Sequence, residues 1–90
     1  MVARVKDEPK CLYYGFSFSG HEAHCREGYA DADGMLYHNQ NVADLFAEAQ
    51  KIAAITRLEV HGPKEEIGKL REPLAKMQAQ FFVLEYGFRR

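Results

Sequence analysis

Ninety residues, 47% hydrophobic and 12% aromatic, make one small domain whose core is marginal alone, so an oligomer, most simply a homodimer, is expected. Twelve basic residues against thirteen acidic ones leave a net charge of -1 with no basic block, which argues against nucleic acid or an anionic lipid surface as partner. No run of about 18 apolar residues occurs and the opening MVARVKDEPK is charged throughout, so the expectation is a cytoplasmic protein with neither membrane span nor signal peptide. Cys11 and Cys25 are fewer cysteines than a small secreted scaffold usually carries, and free thiols are expected.

Residues 1–10 read as a lead-in, either a frayed helix end or a short edge strand around Val2 to Val5, with Pro9 disfavouring helix at Glu8. CLYYGFSF, from Cys11 to Phe18, is short and aromatic and reads as a strand that turns through Ser19-Gly20 into a second strand from His21 to Tyr29. That turn would oppose Phe18 to His21, Tyr14 to Cys25 and Leu12 to Glu27. One face would then carry Leu12, Tyr14, Phe16, Phe18, Ala23, Cys25, Glu27 and Tyr29, and the other would carry Cys11, Tyr13, His24 and Arg26. The two cysteines would lie on opposite sides of the sheet, where a disulfide is geometrically disfavoured.

Asp31 to Gly34 is a turn signal, and Met35 to His38 reads as a helical turn before Asn41, a good N-cap for the main helix. Val42, Leu45, Phe46, Ala49, Ile52 and Ala53 fall on one face of that helix and read as core. Ile55 to Gly62 alternates as a strand with one apolar face. Gly62-Pro63 stops it and opens a helix with Glu65 and Glu66 in its first turn. Ile67, Leu70, Leu74 and Met77 mark its buried stripe, with a kink or a break near Glu72 imposed by Pro73. Gln80 to Phe88 is apolar on both faces, the pattern of a doubly covered strand, and Arg89 and Arg90 close the chain in solvent. The order strand, strand, helix, strand, helix, strand (ββαβαβ) describes a single-domain, two-layer α+β sandwich with a mixed sheet.

Chemistry points to the stretch from His24 to Val42. Glu27 stands on an otherwise apolar face, where a carboxylate finds a partner or shifts upward in pKa. It is either a strand-end glutamate reaching water or an arginine, or a pocket carboxylate beside Tyr14 and Tyr29. His38 is either a helix-start histidine bonded to backbone or a base folded back over that face. A metal site from His21, His24, Cys25 and His38 is not expected, because residues three apart on a strand point to opposite faces. His61 reads as a solvated strand end.

CLYYGFSF, then CREGY, then LYHNQNV resembles the antibiotic-biosynthesis-monooxygenase family over about residues 10 to 62. In that family an aromatic strand follows a Gly-Cys-like start, a Glu and an aromatic residue close the next strand, and a histidine follows several residues later. Cys11, Leu12 and Tyr14 match the start, Glu27 and Tyr29 the strand end, and His38 the histidine. With ten residues before Cys11, the family's opening strand and long helix are expected to be missing or reduced. The resemblance implies a ferredoxin-like fold paired as a dimeric α+β barrel, and a cofactor-independent oxidation of an electron-rich phenol or quinol. His38 would be the base, Glu27 would hold or tune it, and Tyr14 and Tyr29 would bind a small aromatic substrate. The alternative is a binding module that holds such a ligand without transforming it.

Overall fold

A computed structural model describes residues 2–88, and the chain divides into two compact units, 1–52 and 53–90. Arg89 and Arg90, expected in solvent, lie outside the described residues. The architecture is α+β, and no helix among the described residues is long and apolar enough to cross a membrane.

The first unit is organised on a hairpin of β1 (Cys11–Ser19) and β2 (Glu22–Tyr29). Its two-residue loop is Gly20-His21, not Ser19-Gly20, and Gly20 takes a φ of 58° that a residue with a Cβ adopts only at a cost. The register therefore opposes Phe18 to Ala23, Phe16 to Cys25 and Tyr14 to Glu27. This corrects the expected pairing by two residues, a shift that leaves every residue on its own face. A bulge between Cys11 and Tyr13 does change faces: Cys11 opposes Tyr29, so Cys11 and not Leu12 shares the side of Tyr29, Glu27 and Cys25. The two cysteines thus lie on one side rather than on opposite sides, and both are free.

Before the hairpin, Val2–Val5 is a short helix, α1, with Val5 buried. After it comes α2 (Ala32–Asn41), capped by Asp31, whose carboxylate accepts from the Gly34 amide at 2.8 Å. Asn41 is accordingly the last residue of α2 and not the N-cap of the next helix. The helical turn expected at Met35 to His38 is thus part of a full helix, and the main helix expected from Asn41 begins only after buried Val42, as the shorter α3 (Ala43–Ala49). Because α3 stops at Ala49, Ile52 is 90% exposed and Ala53 is exposed too, and Leu45, Phe46 and Ala49 are only half-buried, so of the expected stripe Val42 alone is core. Val5, Ala32 and Val42 form the buried apolar centre of this unit.

In the second unit β3 (Glu59–Gly62) and β4 (Gln80–Val83) run parallel, joined through α4 (Lys64–Leu70) and a 3-10 turn at Ala75–Met77. Ile67, Leu70 and Leu74 are buried with Val60, as the stripe implies, whereas Met77 lies in the 3-10 turn and is only half-buried, and the helix ends before Pro73. Both strands are shorter than expected: residues 53–58 have no regular structure, and beyond Val83 the side chains of Leu84, Tyr86 and Phe88 are exposed. The described strands form two two-stranded sheets rather than one mixed sheet.

Candidate functional site

The site is assembled within the first unit, by α2 lying against the hairpin. Gly34 and His38 are four apart and so share a helix face. A Cβ on Gly34 would stand 2.8 Å from Lys10 Cβ and 3.4 Å from Tyr29 Cβ. The missing methyl lets α2 approach closely there, and one turn later His38 reaches the face of Tyr14 and Tyr29. Its ring centroid lies 5.2 Å from that of Tyr14 and 5.3 Å from that of Tyr29.

His38 is only 4% exposed and has a carboxylate on each side. Nδ1 is 3.0 Å from Glu8 Oε2, and Nε2 is 3.7 Å from Glu27 Oε1, too long for a hydrogen bond but within ion-pair range. Glu8 is held by the turn after α1: its amide donates to the Val5 carbonyl at 2.9 Å and its carbonyl accepts from the Cys11 amide. Asn41 Nδ2 donates to Glu8 Oε2 at 3.0 Å, while Glu8 Oε1 is buried with no hydrogen-bond partner among the described residues. Glu27 is half-buried and accepts from Tyr29 Oη at 2.8 Å and from Cys25 Sγ at 3.2 Å.

These surroundings set the protonation of the donors. Burial, and then the charge of Glu27, push the Tyr29 hydroxyl well above the ordinary tyrosine range. Burial does the same to Tyr14, reinforced by Cys25, with which it is hydrogen-bonded, and by Glu27. Both phenols stay protonated and act as hydrogen-bond donors. The Cys25 thiol is pushed up to about 12 by burial and by its bond to Glu27, and burial also raises Cys11, with the charges of Glu8 and Glu27 adding to it. Neither sulfur is a thiolate at neutral pH, so neither is set up as a nucleophile.

Tyr14, Glu27, Tyr29 and His38, the four residues singled out in the sequence, therefore meet at one place. Three participants were not among them. The sequence places Cys25 on the same face but gives it no role there, Asn41 reads as a helix cap and Glu8 as part of a charged lead-in, and no periodicity marks Glu8 as buried. The remaining histidines are elsewhere: His21 and His24 are exposed on the hairpin. His61 is exposed, stacks on Phe82 with ring centroids 4.6 Å apart and lies 3.2 Å from Glu59. Among the described residues no three histidine, cysteine or acidic side chains gather as metal ligands.

No family model matches the sequence, and no curated protein matches it. Among solved structures it is similar to the crystal structure of MupZ from Pseudomonas fluorescens, with 56% identity and a TM-score of 0.95 over 99% of this chain and 70% of that one.

Proposed function

The chain belongs to the same family as MupZ, and we propose that in it His38 and Glu27 form an acid–base pair acting on a small hydroxylated molecule. The observation that carries this reading is the buried imidazole with a carboxylate at each nitrogen and two neutral tyrosines against its faces. His38 Nε2 takes the hydroxyl proton of the substrate. Glu27 stabilises the imidazolium so formed, and Tyr14 and Tyr29 orient the ring and its oxygens.

The narrower reaction we propose is the one implied by the sequence resemblance, oxidation of an electron-rich phenol or quinol by dioxygen. The deprotonated ring gives electrons to dioxygen, one oxygen atom enters the ring, which ends as a quinone, and the other leaves as water. The geometry supports the proton transfer; the oxidation rests on the resemblance. A ferredoxin-like arrangement, pairing of two copies as a dimeric barrel, and a cytoplasmic location belong to the same proposal. The exposed Phe82, Val83, Leu84, Tyr86 and Phe88 support the pairing.

The test is oxygen uptake by the pure protein with a panel of hydroquinones. His38→Ala should lower turnover by roughly 10²–10⁴-fold while ligand binding survives, the range for loss of a positioned base. Binding without turnover in the native protein would instead identify a ligand-holding module.

A further inference from the structure

We propose that Glu8 is a positioning residue for His38, holding the ring as the tautomer with its hydrogen on Nδ1 so that bare Nε2 faces Glu27 and Tyr29. This rests on the reading of Nε2 as the proton acceptor, and it adds a residue from a separate part of the chain.

The two contacts of the ring are unequal. At 3.0 Å the Nδ1 contact to Glu8 is a hydrogen bond, whereas at 3.7 Å the Nε2 contact to Glu27 is not. The ring hydrogen belongs where the bond is made, and the tautomer follows from that bond. The second donor on Glu8 points the same way. Asn41 Nδ2 converges on the same oxygen, Oε2, as His38 Nδ1, and an ionised oxygen accepts from both at once. A Glu8 that gave its own hydrogen to Nδ1 would have to donate from the oxygen that Asn41 already occupies.

The unpaired oxygen separates positioning from mere packing. Among the described residues Glu8 Oε1 is buried without a hydrogen-bond partner, and the side chain is 2% exposed. A carboxylate in such a place is costly to bury, and a neutral amide would serve as acceptor for His38 and Asn41 with less penalty. What a carboxylate adds is charge opposite the imidazolium that forms when Nε2 takes a proton, the part an acid plays behind a catalytic histidine. The groups facing the ring are Glu8 from the turn after α1, Tyr14 from β1, and Glu27 and Tyr29 from β2.

The experiment is long-range proton–nitrogen correlation of the His38 ring in isotope-labelled native protein and in Glu8→Gln, at a pH where the imidazole is neutral, paired with hydroquinone turnover. The native ring should show a protonated Nδ1 and a bare Nε2. In Glu8→Gln the amide oxygen still accepts from Nδ1, so the two nitrogen shifts should stay apart, while kcat should fall with little change in KM because the charge opposite the imidazolium is gone. A native ring protonated on Nε2 overturns the proposal, and that spectrum decides the matter if Glu8→Gln does not fold. An unchanged kcat in a folded Glu8→Gln overturns it as well. Native Nδ1–H together with full turnover in His38→Ala would refute the base reading while leaving the hold of Glu8 on the ring intact.

Discussion

Gly34→Ala and Gly68→Ala place the same methyl group in two helices and should change stability in opposite directions. At Gly68, within α4 and exposed, an added Cβ meets nothing within 4 Å. Only helix propensity acts there, and alanine should stabilise by about 0.5–1 kcal/mol. At Gly34 the same propensity gain is available, but the new Cβ stands 2.8 Å from Lys10 Cβ, a carbon at the root of its side chain that cannot swing aside. Opening that contact moves α2 off the hairpin, and overpacking of this kind costs about 1–3 kcal/mol. The net loss is about 1–2 kcal/mol, which for a chain of this size lowers Tm by roughly 5–15 °C. Thermal unfolding followed by circular dichroism measures both variants. The same displacement carries His38 away from Tyr14 and Tyr29, so the proton environment of the His38 ring should change in Gly34→Ala and not in Gly68→Ala. A Gly34→Ala protein as stable as the native one, with His38 undisturbed, would refute the claim that close approach at Gly34 seats the histidine.

Ile67→Ala and Leu74→Ala should each cost about 2–5 kcal/mol, and Phe46→Ala less than either, because Phe46 is only half-buried; chemical denaturation ranks the three. The thiol of Cys25 and the hydroxyls of Tyr14 and Tyr29 all ionise at higher pH in the folded protein than in the unfolded chain. The stability they contribute is whole below about pH 9, the ordinary value for a thiol, and is lost as pH rises from there through the folded values. Unfolding free energy should thus fall steeply above pH 9, and less steeply in Tyr29→Phe; a slope that Tyr29→Phe leaves unaltered would contradict the assignment. For the proposed pairing of two copies, sedimentation should show a dimer, and a stable monomer at micromolar concentration would exclude it.

Periodicity made much of this architecture legible. The aromatic strand, the helix stripe of Ile67, Leu70 and Leu74 and the Gly62-Pro63 junction all lie where local sequence rules place them. The errors came where one residue's backbone conformation outweighs a pattern. Gly20 moved the hairpin loop by one position, and the bulge at Leu12 brought Cys11 to the inner face. The stripe from Val42 to Ala53 runs past the stop of α3 at Ala49, which leaves Ile52 outside. The candidate site was half legible. Tyr14, Glu27 and Tyr29 follow from strand alternation, since a two-residue change of register keeps their shared face. Glu8 does not, because its burial depends on a contact 30 positions away with His38.

The central claim is that His38 takes a proton from a hydroxylated ligand, and a nitrophenol whose absorbance reports its ionisation tests it most directly. Titrated with the native protein below the phenol's own pKa, the bound phenol should show the spectrum of the phenolate. His38→Ala should bind it in the neutral form. A nitrophenol that stays neutral on the native protein, or is ionised equally by His38→Ala, would contradict the account.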